Sequence, residues 1–275
     1  MNNSNLFFHH VYFDFSNTKH VQSNDYKIVK TYIEKNVPSN IQYKFWTLND
    51  AMELINKYYP YLSNFFSNSQ SFQIVKCDIF RYILMYHYGG IYSDLDFICI
   101  DSIQTLLDKI KNKGLMTTYQ SEIPSTIVLS EEWKNSTTLT NTLHNGILIS
   151  IIPQHPFWLK LIHEIYNELV IKKTQILSQD DVFLLTGTKK LFSFFQKNIC
   201  HFNDISILPY FYFCPYLAKS NVNNSVIICD GRNEVPSHTT STWYFANINN
   251  HYEIKQIFPL SYFACISLNT GSMWK

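Results

Sequence analysis

A chain of 275 residues with 46% hydrophobic and 16% aromatic residues carries enough apolar surface for a full core, and one domain spanning 1–275 is expected. Its 22 basic and 21 acidic side chains nearly cancel, which excludes the electrostatic footprint of a nucleic-acid binder. No uninterrupted apolar run reaches membrane-spanning length, no secretory pattern opens the sequence, and the six cysteines show no C-x-x-C spacing. The expectation is a soluble, cytoplasmic chain with no transmembrane segment and with its cysteines in the core.

In chain order, LFFHHVYFDF (6–15) reads as a buried first strand. In IQYKFWTLNDAMELINKYYPYL (41–62) a second strand runs into a helix, with Asn49 and Asp50 as helix starters and Pro60 as a stop. SFQIVKCDIFRYILMYHY (71–88) repeats apolar residues at helical spacing, and Gly89 stands where a left-handed turn commonly ends a helix. Asp78 and Arg81, three apart, share a face of that helix. Arg81 is conspicuous because Arg232 is the only other arginine. An ordinary surface ion pair is the plain alternative for these two residues.

Directly behind the helix, YHYGGIYSDLDF (86–97) holds two of the seven glycines and a D-x-D pair. Asp94 and Asp96 offer the hard oxygen ligands that Mg²⁺ or Mn²⁺ prefers, so the pair reads as a metal-diphosphate site. In an extended segment Tyr92, Asp94 and Asp96 would share one face, with Ile91, Leu95, Phe97 and Cys99 turned into a core. D-x-D alone is a weak signal; helix, double glycine, aromatic and paired carboxylates in one unbroken segment are far more specific.

Later segments are plainer. TLHNGILISIIPQHPFWLKLIHEI (142–165) contains Asn145-Gly146, a pair suited to a turn, and His155 before Pro156, suited to a helix start. SQDDVFLLTGTKKLFSFF (178–195) places Asp180 and Asp181 where aspartate often caps a helix. SHTTSTWYF (237–245) sets His238 five residues before Trp243. The polar stretches 111–141 and 219–242 are expected to be mobile loops.

The run KCDIFRYILMYHYGGIYSDLDF resembles the signature of D-x-D sugar transferases of glycosyltransferase family 32, a group of initiating mannosyltransferases, inositol-phosphoceramide mannosyltransferases and capsular polysaccharide enzymes. Large glucosylating toxins carry a similar block. The resemblance implies an α/β fold of GT-A type: a nucleotide-sugar-binding sandwich with a central mixed, mostly parallel sheet and added helices. It implies a glycosyltransferase moving a sugar, with retention, from a UDP- or GDP-sugar to a hydroxyl of a glycan, lipid or protein. Mn²⁺ or Mg²⁺ would be held by Asp94, Asp96 and His238, the late histidine being a ligand in related transferases; a structural histidine is the alternative.

On the same resemblance, Asp78 and Arg81 orient sugar hydroxyls, and Asn145 faces the donor sugar unless it makes the Asn-Gly turn. Tyr12 and Tyr92 pack on the nucleotide or sugar, and Trp243 belongs to the donor site. Asp180 and Asp181 either face the substrates or cap. Departures from the pattern are tyrosine for tryptophan at Tyr12, Thr188 for a proline, and Thr242 for a serine. Two other functions fit the block: a toxin-type glucosyltransferase acting on a protein, and a non-catalytic carbohydrate-binding protein on the same fold. A dehalogenase-type phosphatase fits poorly, because its D-x-D follows an apolar first strand rather than Gly-Gly-Ile-Tyr-Ser.

Overall fold

The computed structural model describes residues 6–13, 24–68, 73–95, 97–115, 117, 119, 124–131, 143–174, 176, 178–213, 216–219, 226–229 and 260–265. A six-stranded sheet in the order β2-β1-β3-β6-β5-β7 forms its centre, built from β1 (Phe7–Val11), β2 (Gln42–Trp46), β3 (Gly90–Ser93), β5 (Ile127–Glu131), β6 (Leu143–Ser150) and β7 (Ile205–Leu208). The pairs β1-β2, β1-β3 and β5-β7 are parallel, and β6 runs antiparallel to both its neighbours. The sheet is therefore mixed and mostly parallel, as expected of the GT-A type. A second sheet, β4-β10-β8-β9, joins β4 (Phe97–Cys99), β8 (Tyr216–Lys219), β9 (Val226–Cys229) and β10 (Phe263–Cys265).

Side chains of the central sheet alternate between two cores, as the period of a strand requires. Tyr92, Leu129 and Leu148 join one core with α2 (Leu48–Tyr58), α4 (Gln73–His87), α6 (Pro156–Tyr166) and α8 (Thr188–Asn198). Ile91, Val128, Ile147 and Ile149 join the other with α1 (Asn24–Asn36), α5 (Ile103–Lys111) and the second sheet. The short helices α3 (Ser63–Ser67) and α7 (Gln179–Leu185) complete the helical set. Among the described residues no helix is long and apolar enough to cross a membrane.

Local chemistry sets the boundaries. Helix α2 starts on a capping box in which Thr47 and Asp50 bond each other's backbone N–H, so the cap is Thr47 rather than Asn49. Pro60 then opens a 3₁₀ turn. Helix α4 ends as read, with Gly89 at φ +64° and Gly90 at φ +89°, and a Cβ on Gly90 would stand 2.2 Å from the carbonyl oxygen of Phe7. The turn is clamped by the buried His9, whose Nε2–H donates to the Gly89 carbonyl at 2.8 Å while Nδ1 accepts from Trp46 at 3.0 Å. Burial lowers the pKa of His9 to about 4, which keeps it in the neutral form that both bonds need. Burial, with His9 beside it, takes His10 to about 3.

Several expectations change. Ile91, Phe97 and Cys99 are buried in one core and Leu95 packs on it, but 90–99 is not one extended segment: it turns after Ser93 into a strand of the second sheet. The stretch 111–141 is not all loop, since β5 lies within it and its apolar residues are buried. Asn145-Gly146 makes no hairpin turn; both lie in β6, in the stretch between His144 and Ile149 where β6 carries extra residues against β5 and the register shifts. Cys77 and Cys99 are core, whereas Cys200 is exposed.

Candidate active site

Strands β1, β2 and β3 run in one direction, so the segments after Val11, Trp46 and Ser93 emerge at the same end of the sheet, and the antiparallel β6 begins there. Ligands of α/β sheets gather at that carboxyl end. Tyr12 continues the ladder by donating its N–H to the Trp46 carbonyl (2.9 Å), and its half-buried ring stacks on Phe45. Asp94 extends the β3–β6 pairing by donating its N–H to the Gly146 carbonyl at 2.7 Å.

Arg81 organises this end. Its Nη2 donates to Asp78 Oδ1 at 2.9 Å, and its Nη1 donates to Asp94 Oδ2 at 3.0 Å and to the Asn145 carbonyl at 2.8 Å. The guanidinium lies 5.0 Å from the centre of the Tyr92 ring, and the Tyr92 hydroxyl donates to Asp94 Oδ1. Exposure is graded: the side chains of Arg81 and Asp78 are 3% and 4% exposed, that of Asp94 30%. Asp94 is the outward end of a sealed charge cluster.

Asp78 forms the inner end. Oδ1 also accepts from Asn145 Nδ2 at 3.0 Å, and Oδ2 accepts from the Thr186 hydroxyl at 2.8 Å. The Tyr82 hydroxyl donates to the Thr186 carbonyl at 2.8 Å and closes the network. Burial raises the Asp78 pKa to about 6, against the pull of Arg81 and of the Thr186 and Asn145 donors. Burial also works against the Arg81 charge, but Asp94, Tyr92 and Asp78 together carry its pKa well above the usual value. The two shifts are consistent because Arg81 is shared: it sees two carboxylates, while Asp78 receives half of one guanidinium.

Several residues take other places than expected. Tyr92 does not offer a stacking face: its ring is 1% exposed, so it serves through the hydroxyl on Asp94. Asp78 and Arg81 are not a surface pair, and among the described residues both Asp78 oxygens already hold protein donors. The Asn145 amide points at Asp78. Asp181 caps α7 with Ser178, and Asp180 pairs with Lys189 on the surface. His155 caps α6 as read and bonds Asp204 at 3.0 Å. Asp96, His238 and Trp243 lie outside the described residues.

Composition and spacing gave no notice of Thr186, Tyr82 or the space at Gly146. A Cβ on Gly146 would stand 2.4 Å from His144 Cε1 and 2.8 Å from Asp94 Oδ2, so glycine there lets an imidazole and the carboxylate converge. The T-G step at 186–187 was the one available signal, since Thr186 meets Asp78 across 108 positions.

Among the described residues no three His, Cys, Asp or Glu side chains converge on a metal. The chemistry of Asp94 nonetheless fits a cation. It is a hard oxygen donor, partly exposed at the mouth of a sealed cluster, and each of its oxygens keeps a lone pair beyond the bond it accepts from Arg81 or Tyr92.

Residues 22–113 match the glycosyltransferase sugar-binding region containing a DXD motif. Inositol phosphoceramide mannosyltransferase 1 of Schizosaccharomyces pombe is 30% identical over 147 residues, which cover 52% of this chain and 39% of that protein. Mannosyl phosphorylinositol ceramide synthase SUR1 of Saccharomyces cerevisiae is 38% identical over 66 residues, 24% of this chain and 17% of that one. The chain thus aligns with less than half the length of these relatives. Among solved structures, PaToxG glycosyltransferase is 14% identical at a TM-score of 0.46, covering 70% of this chain and 69% of that one. Mouse xyloside xylosyltransferase 1 in its apo form is 10% identical at 0.43, covering 76% and 86%. The matched residues include α4, the Gly89-Gly90 turn and β3, the elements that bring Asp78, Arg81 and Asp94 together, and over that third of its length the chain is similar to the glycosyltransferase sugar-binding region containing a DXD motif.

Proposed function

We propose that the chain transfers a glycosyl group from a nucleoside diphosphate sugar to a hydroxyl acceptor, with retention, in a divalent-metal-dependent reaction. The observation that carries this reading is the graded cluster, in which a buried guanidinium fixes one partly exposed carboxylate at the carboxyl end of the sheet. A preorganised carboxylate of this kind suits a ligand that arrives with both polyol and anionic groups. The matched relatives are named as mannosyltransferases and ceramide synthases, which favours a hexosyl donor and leaves glycan, lipid and protein hydroxyls as acceptor classes.

Asp94, Asp96 and His238 would hold the ion, Mn²⁺ or Mg²⁺, which when bound supplies positive charge against the diphosphate. Within the chain, Arg81 holds Asp94 by a charge-assisted bond, and Tyr92 holds its second oxygen. Asp78 and Asn145 fix Arg81 from behind, so the cluster loses little on meeting a ligand. Tyr12, at the neighbouring strand end, is the candidate face for the base. A soluble, cytoplasmic location belongs to the same proposal.

The test is release of nucleotide from a panel of UDP- and GDP-sugars, with Mn²⁺, with Mg²⁺ and with chelator. Metal-dependent release from one donor supports the reading. Absence of both release and nucleotide binding across the panel removes it and favours a carbohydrate-binding protein.

A further inference from the structure

Thr186 stands between α7 and α8, fully buried, with no ligand-facing surface of its own. Its single hydroxyl proton has two acceptors, Asp78 Oδ2 at 2.8 Å and the Val182 carbonyl at 3.2 Å. Among the described residues this hydroxyl is the one donor on Oδ2, whereas Oδ1 takes both Arg81 and Asn145. The backbone of Thr186 is held as well, since its carbonyl accepts from Tyr82 on the same helix as Asp78. Two bonds thus tie the α7–α8 junction to the inner end of the charge cluster.

We propose that Thr186 is a positioning residue of the donor site. Its hydroxyl keeps Asp78 an oriented carboxylate, so that Arg81 spends Nη2 on Asp78 and leaves Nη1 for Asp94. The inference rests on the donor-site reading above. A carboxylate this deeply buried stays ionised only while its oxygens hold donors. The groups that face it are Arg81, Tyr82 and Cys77 from α4, Asp94 from the β3 side, Asn145 from β6 and Thr186 from the α7–α8 junction. Of these, Arg81, Thr186 and Asn145 favour the charged form and Asp94 opposes it. Removing the Thr186 donor therefore moves Asp78 toward its neutral form, which weakens its hold on Arg81.

Thr186→Val keeps the shape and deletes the donor; Thr186→Ala deletes it with less crowding should the valine fail to fold; Thr186→Ser keeps it. The expected result is an acid limb of the pH–activity profile moved upward by about one pH unit in the valine or alanine variant, so that kcat/KM is about twofold lower at pH 7 and approaches tenfold lower near pH 5. The serine variant returns both to wild type. The ¹³C carboxyl titration of Asp78, which needs no turnover, should move upward by a similar amount.

A folded valine or alanine variant with the wild-type Asp78 titration and pH profile overturns the proposal. So does a serine variant that behaves like alanine. If the wild-type chain turns over no donor, the functional reading fails, and the Asp78 titration still decides whether Thr186 holds that carboxylate.

Discussion

Replacing Asp78 by asparagine separates the stability of the charge cluster from its function. The shape is kept, and the network can absorb the change: the new amide oxygen meets Arg81 and Asn145, its NH₂ donates to the Thr186 oxygen, and the Thr186 proton turns to the Val182 carbonyl 3.2 Å away. Burial raises the pKa of Asp78 from an ordinary 3.8 to about 6. Two units correspond to about 3 kcal/mol by which the folded state disfavours the charged form relative to the unfolded chain. Between about pH 4 and 6 the folded protein keeps a proton that the unfolded chain has released. This group therefore makes wild-type stability fall as pH rises through that window and level off above it.

Asp78→Asn should remove that slope. At pH 7 it should leave the fold as stable or more so, with about 3 kcal/mol as the ceiling because an amide only approximates a neutral acid. Donor turnover should fall roughly hundredfold, since Arg81 then answers to Asp94 alone. Urea unfolding followed by circular dichroism at pH 4.5, 5.5 and 7, alongside nucleotide release, reads both effects. The reasoning is refuted if the variant loses about 3–5 kcal/mol at pH 7, the loss seen when a buried ion pair that contributes net stability is broken.

Two glycines should respond in opposite ways. Gly90→Ala sets a Cβ 2.2 Å from backbone of β1 at φ +89°, so neither space nor conformation yields; a loss of about 3 kcal/mol or more is expected in denaturant unfolding. Gly146→Ala meets only the His144 ring and the Asp94 carboxylate, which are side-chain ends; stability should change by about 1 kcal/mol or less while nucleotide affinity, read by calorimetry, falls about tenfold as Asp94 is pushed aside.

Much of the fold was legible where local chemistry and global packing agree. The helical period of 73–87 and the glycines at 89 and 90 mark α4 and its end, because a left-handed turn has few other solutions. The strand at 127–131 was hidden among Ser and Thr residues that look like loop, and only its pairing with β6 and β7 reveals it. Asp78, Arg81 and Asp94 were readable as a block, since they lie within 17 positions of one another. Their depth was not, because α4 is covered by α6 and β6 from far along the chain, and Arg81 meets the Asn145 carbonyl of β6 across 64 positions. Tyr92 shows the same limit: alternation places it beside Asp94, but the helices behind decide that its ring is covered.

The central claim is that the carboxylates around Asp94 hold a divalent ion against a diphosphate. Binding of UDP and GDP to the wild-type chain and to Asp96→Ala, titrated calorimetrically with Mn²⁺ or with chelator, tests it most directly. The account predicts that wild type binds one of the two nucleotides more tightly with Mn²⁺ and that the variant loses the metal-dependent part while keeping its melting temperature. Equal affinity with and without Mn²⁺ in the wild type, or an unchanged metal effect in the variant, would contradict it.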